Sequence, residues 1–330
     1  MTNKELVLDA LNNKPVPRIP SGFWFHHVPD ANGKYQGLRD PAIAEKNVAG
    51  HKHYFDIVHP DFVKVMSDGF FGYPLDGAFN DIKIDSIKDL AKIQPVAPDA
   101  PWIRGQVDLV KRVTSLQADT MYFYNVFGPL YTLKHLTGLE FVLDLFKKEP
   151  ALLAETLKNL AQGIALQATS VIREGGADGI YLCVQNPSIG AVSDDEYLKI
   201  AAPADQTVLN AANAAGGNNI LHICGFKGAR NHLNAWTGYK AKAYNWAVNV
   251  EGVSLAEGKK LFGGAAVVGG YDNTENGILY RGTKAEVEAF AEKLIKDAGK
   301  TGIIVGADCS IPEDIDLARF AWIKDKLASL

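Results

Sequence analysis

Eight short apolar runs, separated from one another by stretches with the polar and apolar spacing of helices, constrain the fold of this chain more than any other feature. Most of the runs are uninterrupted rather than alternating, as is typical of strands that are buried on both faces of a parallel sheet. Eight such strands with helices between them predict an α/β fold, the (β/α)8 or TIM barrel. The runs lie at residues 18–25, 62–66, 120–127, 178–184, 220–224, 243–248, 261–268 and 302–306.

The segments between the runs refine this prediction. Apolar residues on one face of residues 3–13 predict an N-terminal helix, and the spacing of residues 130–146 and 228–237 predicts two further helices. Residues 70–101 contain several Pro and Gly residues and little periodicity. We interpret them as an insertion after the second strand that leaves the core.

The composition indicates a globular protein that acts on a small molecule. Hydrophobic residues make up 47% of the chain, and 34 basic and 38 acidic residues give a net charge of −4 without a long basic run. Nucleic acid or an anionic membrane surface is therefore not an expected partner. Because barrels of more than about 250 residues commonly form one domain, we expect a single domain over residues 1–330.

Targeting and redox features predict a cytoplasmic location. The sequence begins without the apolar segment of a signal peptide, and no window approaches the roughly 18 consecutive apolar residues of a membrane span. Three cysteines are too few for a disulfide framework. In a reducing compartment we expect them to be packing residues, ligands or reactive thiols.

In a (β/α)8 barrel the active site lies just after the carboxyl ends of the strands. The residues at these positions are strongly polar for a chain of this hydrophobicity, which favours a working site over a bare scaffold. In strand order they are His26, His27, Ser67, Asp68, Asn125, Gln185, Asn186, His222, Cys224, Asn249, Glu251, Tyr271, Asp272, Asn273, Asp308 and Cys309.

The fifth strand end carries a pattern that is typical of a metal site. Side chains two positions apart on a strand point the same way, so His222 and Cys224 form a chelating pair. Cys309 follows the eighth run and supplies a third ligand, although its strand is not a neighbour of the fifth. Three nitrogen and sulfur ligands with one open position predict a catalytic zinc site. Cys183, one strand away, is a competing third thiol that is also typical of a core residue.

Four segments, residues 8–20, 64–68, 221–225 and 310–312, resemble the uroporphyrinogen decarboxylase superfamily. The resemblance covers nearly the whole chain. That superfamily contains heme-pathway decarboxylases, which use no metal, and zinc-dependent methyltransferases that work with corrinoid proteins, including the type that acts on coenzyme M. The resemblance implies one of these two activities for this chain.

Two motifs separate the branches. His222, Cys224 and Cys309 resemble the His-x-Cys strand end and the later Cys of the methyltransferases, whereas the decarboxylases have arginines after the first strand that hold substrate carboxylates. Here that window, residues 23–27, contains no arginine. Asp68 resembles the decarboxylases' central aspartate, which binds pyrrole N–H groups, so that branch stays open as an alternative.

The resemblance therefore implies a zinc-dependent methyltransferase that moves a methyl group between a corrinoid carrier, held by a partner protein, and a thiol or similar acceptor. Decarboxylation of a tetrapyrrole is the first alternative, and a zinc-stabilised barrel that only binds a partner is the second. Methyl donor and acceptor stay open, as does the choice between a monomer and a homodimer.

We expect the remaining candidates to form the substrate pocket. Asp68 and Tyr271 are assigned to catalysis, where they shape or polarise the pocket, and His26, Asn125 and Asp272 to substrate binding. An acceptor such as Asp308 or Asp272 is expected to fix the tautomer of His222.

Overall fold

The computed structural model describes residues 1–75, 84–185, 191–225, 228 and 230–330. In this part of the chain seven strands form one parallel sheet, and each strand pairs with the next along the sequence. They are β1 (Phe62–Val65), β2 (Met121–Phe127), β3 (Gly179–Val184), β4 (Ile220–Ile223), β5 (Ala243–Trp246), β6 (Ala266–Tyr271) and β7 (Ile303–Ala307). They correspond to the second to eighth predicted strands.

Helices occupy most of the connections. They are α1 (Asn3–Leu11), α2 (Pro41–Val58), α3 (Pro101–Thr114), α4 (Pro129–Thr137), α5 (Leu139–Lys148), α6 (Pro150–Arg173), α7 (Asp194–Ile200), α8 (Ala202–Ala214), α9 (Val248–Glu251), α10 (Leu255–Leu261), α11 (Ile278–Arg281), α12 (Lys284–Ala298) and α13 (Ala318–Ala328). Short 3₁₀ helices lie at Gly33–Tyr35, Ile87–Lys92 and Leu233–Trp236. No helix among the described residues combines the length and the apolar character that a membrane crossing requires.

Local sequence explains where several helices begin. Proline stands in the first turn of α2, α3, α4 and α6, where its missing N–H costs nothing. Capping boxes begin α1, α7, α10 and α12, since a Ser or Thr side chain accepts from the third helical amide and a Glu reaches back. The predicted N-terminal helix is confirmed.

The first predicted strand, residues 18–25, is wrong as a continuous strand. Its residues Ser21 and Phe25 form only isolated parallel bridges, to Val305 and Ile311. The ladder is interrupted because Pro20 has no N–H and because the amide of Phe23 donates to the Tyr54 hydroxyl at 3.1 Å. The same segment contacts the other edge of the sheet, where the amide of Asp61 donates to the carbonyl of Ser21.

Three other predicted elements have different bounds. The helix predicted at 130–146 is divided into α4 and α5 by Gly138, whose φ of 87° is incompatible with a continuous helix. The strand predicted from residue 261 begins at Ala266, because α10 ends at Leu261 and two glycines with positive φ follow. Of the helix predicted at 228–237, only the 3₁₀ turn Leu233–Trp236 is observed, and residue 229 lies outside the described residues.

The expectation that residues 70–101 leave the core is also wrong for the described part of that stretch. Phe70, Tyr73, Leu75, Leu90 and Ile93 are all at most 4% exposed and belong to the main hydrophobic core. Apolar residues without helical or strand spacing therefore anchor this insertion against the helical layer. Residues 76–83 lie outside the described part.

Alternate residues of each strand form a second, smaller core on the concave face of the sheet. Because strand side chains alternate in direction, residues of the same parity meet there. This inner core also receives Val7, Ala10 and Leu11 from α1. Its strand members are Phe62, Met121, Phe123, Tyr181, Ile220, Ala243, Ala266, Val268 and Ile304. Further along the same face, towards the carboxyl ends, the inward positions become polar.

Candidate metal centre

A cavity of about 1020 Å³ lies at the carboxyl ends of the strands. Its wall combines strand-end side chains with the loops that follow, as expected for a working site in this architecture. The polar or aromatic lining residues include His26, Lys34, Lys64, Phe71, Asn125, Phe127, Tyr131, His135, Cys183, His222, Cys224, Asn249, Asp272, Asp308 and Cys309. Among the described residues of the 70–101 insertion, only Phe71 contributes to this wall.

Three of these side chains form a cluster with metal-ligand chemistry. His222 is the third residue of β4, and Cys224 follows the end of that strand and points the same way. Cys309 lies on the loop after β7, and its side chain reaches the other two across the carboxyl end of the sheet. The Sγ atoms of Cys224 and Cys309 are 3.9 Å apart, and Sγ of Cys309 is 3.6 Å from Nε2 of His222. All three ligand atoms lie within 4.8 Å of one another.

The two distances that involve Cys309 match edges of a coordination tetrahedron. At zinc–ligand distances of about 2.3 Å to sulfur and about 2.0 Å to nitrogen, tetrahedral angles place two sulfurs about 3.8 Å apart and a sulfur about 3.5 Å from a nitrogen. The observed 3.9 and 3.6 Å therefore suit two edges of such a tetrahedron, and the third pair of ligand atoms, on His222 and Cys224, lies within 4.8 Å. Three protein ligands leave the fourth position for another group.

Asn245, which is not among the site residues predicted from the sequence, fixes the orientation of His222. Its amide nitrogen donates to the carbonyls of Val268 and Ala307, at 2.9 and 3.2 Å, so its oxygen must face the imidazole. Nδ1 of His222 hydrogen-bonds to that oxygen and carries the proton. Nε2 is left with a lone pair directed at the thiols, which is the tautomer that a metal ligand requires.

The acidic residues expected in that role are engaged elsewhere. One oxygen of Asp308 accepts from the amide and the side chain of Asn249, both at 2.9 Å, and the other has no partner among the described residues. Burial raises the pKa of Asp308 to about 7. Asp272 lines the cavity and accepts from the amide of Thr274 at 2.8 Å.

The thiols are strongly affected by their surroundings. The hydrogen bond with Cys224, together with burial, raises the pKa of Cys309 well above its usual range, although His222 acts in the opposite direction. The thiol of Cys309 is therefore protonated at neutral pH in the metal-free protein. A metal ion must displace that proton, so metal binding is coupled to proton release.

Asp68 does not reach the cavity. Its carboxylate is fully buried and accepts from Nδ1 of His26 at 2.7 Å and from the amides of His27 and Val28, at 2.8 and 3.1 Å. His26 itself lines the cavity. Asp68 is thus placed to orient the His26 ring rather than to contact a substrate.

The structure brings Asn125 to the cavity wall but not Tyr271. Asn125 is 2% exposed and hydrogen-bonds with Ser67 and Cys183, at 2.7 and 3.2 Å. Tyr271 is fully buried on the helical side of the sheet, where its hydroxyl donates to the carbonyl of Val287 at 2.8 Å. The predicted role of Tyr271 is corrected because it has the parity of Val267, which points outwards from β6.

The other strand-end candidates have mixed positions. Asn249 and Asn273 line the cavity, whereas Gln185 donates to the carbonyl of Cys224 at 3.1 Å and supports the ligand loop from behind. Glu251 is bound to Asn231, and burial raises its pKa. Asn186 lies outside the described residues.

Lys64 and Cys183 complete the inner end of the cavity. Both point inwards, from β1 and β3, and line the wall. Cys183 pairs with His222 in the register of β3 and β4, yet its sulfur is not part of the three-ligand cluster. Burial raises the pKa of the Cys183 thiol, which Lys64 partly offsets.

The chain is similar to known proteins over most of its length. The model of the family described as uroporphyrinogen decarboxylase (URO-D) matches residues 78–327. The methylcobamide:CoM methyltransferases MtbA of Methanosarcina mazei and Methanosarcina acetivorans are 24% and 22% identical to it. These alignments cover 92% of both chains in the first case and 90% of both in the second.

The fold is also similar to that of a solved methyltransferase from Methanosarcina mazei. That structure superimposes with a TM-score of 0.73 at 15% sequence identity and covers 100% of this chain and 99% of its own. At such identity the similarity establishes the arrangement of strands and helices. It does not establish the chemistry of the site.

Proposed function

We propose a function from one premise, that this chain belongs to the uroporphyrinogen decarboxylase family. Within that family we propose a zinc-dependent methyltransferase that moves a methyl group between a corrinoid carrier and a thiol or similar acceptor. We further propose a single domain in which the segment around Ser21 and Phe25 is the eighth strand position between β7 and β1. The three free cysteines suit a reducing cytoplasm.

The geometry of His222, Cys224 and Cys309 carries this proposal. Soft thiolates with one imidazole are ligands that zinc prefers, and the two distances from Cys309 match edges of a tetrahedral site with one position open. Zinc bound there would supply Lewis acidity that keeps a coordinated substrate thiol in its nucleophilic thiolate form at neutral pH. Two thiolates and one neutral imidazole would offset the charge of a bound zinc ion and would so keep the substrate sulfur electron-rich.

Other residues of the protein orient the ligands and form the space for the substrate. Asn245 holds His222 as the Nδ1–H tautomer, and Gln185 ties the carbonyl of Cys224 to β3. The cavity of about 1020 Å³ above the cluster leaves room for a substrate and for the approach of a carrier. The similarity to methylcobamide:CoM methyltransferases supports a corrinoid as methyl carrier, presented by a partner protein, and a small thiol as acceptor.

The two alternatives have less support. A decarboxylase would need its central aspartate to accept pyrrole N–H groups, but both oxygens of Asp68 are already engaged, by His26 and two backbone amides. A non-catalytic barrel would be favoured if the insertion at residues 70–101 blocked the cavity at the carboxyl ends of the strands. The insertion contributes only Phe71 to the wall among its described residues, and a large cavity persists.

Metal analysis tests the first half of the proposal. We expect stoichiometric zinc in protein prepared without chelator, and substantial loss in Cys224→Ser and Cys309→Ser. Cys183→Ser is the matched control, since Cys183 lines the same cavity but lies outside the ligand cluster. Wild-type protein without zinc, or equal zinc in all variants, would contradict the proposal.

Methyl transfer tests the second half. The zinc-loaded protein is expected to demethylate free methylcobalamin when a thiol is added, with the loss followed by the cobalamin absorbance. Cys309→Ser should lack this activity, and wild-type protein without thiol should show none. Inertness towards methylcobalamin combined with turnover of uroporphyrinogen would favour the decarboxylase instead.

A further inference from the structure

A second cavity, of about 400 Å³, lies outside the cavity of the candidate metal centre. Its wall is formed by the segment that follows β4, by the carboxyl end of α9 and by α10. The two cavities share no lining residue among the described part of the chain. A cavity of this size is large enough to hold a small organic molecule.

Glu251 places a buried carboxylate in the wall of this second cavity. The residue is only 5% exposed, and its Oε1 accepts from the amide and the side chain of Asn231, at 2.8 and 3.1 Å. Its Oε2 has no hydrogen-bond partner among the described residues. Burial raises the pKa of Glu251, because a carboxylate is less well solvated there than in water. A ligand that donates to Oε2 would therefore supply an interaction that the empty cavity lacks.

Arg230 brings the opposite charge to the same wall without neutralising Glu251. Its Nη2 donates to the backbone carbonyl of Glu251 at 3.2 Å, which uses one of the five N–H donors of the guanidinium. Its charge opposes the rise in the pKa of Glu251, yet the two charged groups form no ion pair in the described structure. The cavity therefore presents a positive and a negative group that are both open to a ligand.

Asn231 holds the carboxylate in position. It is 4% exposed, and its side-chain nitrogen donates to the carbonyl of Cys224 at 3.0 Å as well as to Oε1 of Glu251. The bonded oxygen is thus tied to the loop after β4, which fixes the direction of the carboxylate. A binding group that is fixed before the ligand arrives loses little entropy when it binds.

The remaining wall is suited to an apolar group. Leu233, Val253 and Leu261 line the same cavity as the two charged side chains. A simple ammonium ion would pair with Glu251 but would be repelled by Arg230, and a simple carboxylate would meet the reverse problem. A zwitterion with an apolar body satisfies all three parts of the wall.

We propose that this cavity is a second ligand site and that it binds an α-amino acid with an apolar side chain. The ammonium group of the ligand donates to Oε2 of Glu251, and its carboxylate accepts from the guanidinium of Arg230. Its side chain contacts the three apolar residues of the wall. This inference depends neither on a metal ion nor on the proposed methyl transfer.

Isothermal titration calorimetry of the full chain, without metal, tests the proposal with L-leucine as the probe. Two analogues of leucine each lack one charge: 3-methylbutylamine has no carboxylate, and 4-methylpentanoate has no ammonium group. We expect the wild type to bind leucine about 10- to 100-fold more tightly than either analogue, because each analogue leaves one charged side chain without its partner.

Two variants remove one charge each from the protein. Glu251→Gln keeps an oxygen acceptor for Asn231, and Arg230→Gln keeps a side-chain N–H donor. Each should lower the affinity for leucine about 10- to 100-fold. Glu257→Gln is the matched control, since Glu257 lines the same cavity but its carboxylate is engaged by Ser254 in a capping box that glutamine can also form. This variant should bind leucine as the wild type does.

A second measurement shows that the variants are folded. Leucine should raise the unfolding temperature of the wild type and of Glu257→Gln, but not that of Glu251→Gln. Absence of leucine binding to the wild type, equal affinities for leucine and 3-methylbutylamine, or equal losses in Glu251→Gln and Glu257→Gln would each overturn the proposal. If Glu251→Gln does not fold, the comparison of leucine with its two analogues on the wild type decides alone.

Discussion

At the scale of single residues, the metal cluster depends on a side chain that never touches the metal position. Asn245 is fully buried, and its amide nitrogen donates two hydrogen bonds to backbone carbonyls. Its amide oxygen therefore points towards His222. A histidine side chain that is held in this way loses little conformational entropy when it binds an ion. The orientation of the His222 ring is therefore set by the sheet before any metal binds.

Asn245→Leu removes the acceptor for Nδ1 of His222 with little change in volume. We expect zinc affinity to fall about 10- to 100-fold, measured by competition with a chromophoric chelator. Asn245→Asp keeps an oxygen acceptor and should retain more of the affinity. Equal zinc affinity in the wild type and the leucine variant would show that the tautomer is set elsewhere.

A second prediction concerns Asp205 of α8, which is 1% exposed and accepts from the hydroxyls of Tyr197 and Tyr239. Burial raises its pKa to about 7, from about 3.9 in an unfolded chain. Its contribution to stability is therefore complete below about pH 4 and is lost as the pH rises through about 7, up to about 4 kcal/mol in all.

Asp205→Asn cannot ionise and keeps an oxygen for the two tyrosines. The free energy of unfolding of this variant, relative to the wild type, should increase between pH 4.5 and pH 8 when both are unfolded in urea. Other titrating groups cancel in that difference. Parallel pH profiles for the two proteins would contradict a raised pKa for Asp205.

The sequence predicts the three members of the candidate metal cluster better than the residues that support them. His222 and Cys224 follow from strand alternation, and Cys309 from its place after the last strand. Asn245 is an ordinary inward strand position in the sequence, and only its hydrogen bonds to residues on other strands show that it supports His222. Tyr271 lies at a strand end, but it has the parity of Val267 and therefore points away from the cavity.

At the scale of elements, the break between α4 and α5 shows how one backbone conformation reshapes the wall of the cavity. α4 carries Tyr131 and His135, which line the cavity, and Gly138 ends it with φ 87° and ψ 165°. Few residues other than glycine adopt these angles. The predicted continuous helix failed here because helical spacing persists across a residue whose dihedrals interrupt the helix.

Gly138→Ala tests this directly, since the added methyl would meet no atom within 4 Å and only the backbone is strained. We expect a loss of about 1–3 kcal/mol in the free energy of unfolding. Gly238→Ala is the matched control, because that site is equally open but lacks the positive φ, and its effect should stay within about 0.5 kcal/mol. Equal effects in the two variants would exclude backbone strain as the cause.

At the scale of the whole molecule, α1 packs against the inner core at the end opposite the cavity. It contacts β1, β2, β6 and β7, and its apolar face is continuous with the inner side chains of the sheet. The order of strands and helices was predictable because continuous apolar runs are typical of strands that are buried on both faces of a parallel sheet. The interrupted strand around Ser21 was not predictable, because the amide of Phe23 donates to the hydroxyl of Tyr54 on α2 instead of to a neighbouring strand.

Leu11→Ala should therefore destabilise the whole protein, by about 2–5 kcal/mol, because Leu11 is 2% exposed and belongs to the inner core. Leu8→Ala, on the same helix but 37% exposed, should change stability by no more than about 0.5 kcal/mol. Zinc content per folded molecule should stay unchanged in both. A loss of zinc in folded Leu11→Ala would mean that the two ends of the sheet are coupled.

The 3.9 Å between the sulfurs of Cys224 and Cys309 has a consequence for the protein before it is loaded. Two thiols this close can give up two protons and two electrons to an oxidant such as oxygen and become a cystine. Zinc would shield the pair from that reaction, and a reductant would reverse it. Exposure of the metal-free protein to air should thus abolish metal uptake until dithiothreitol is added. The activity of a preparation should therefore depend on whether Cys224 and Cys309 were oxidised before the metal was supplied.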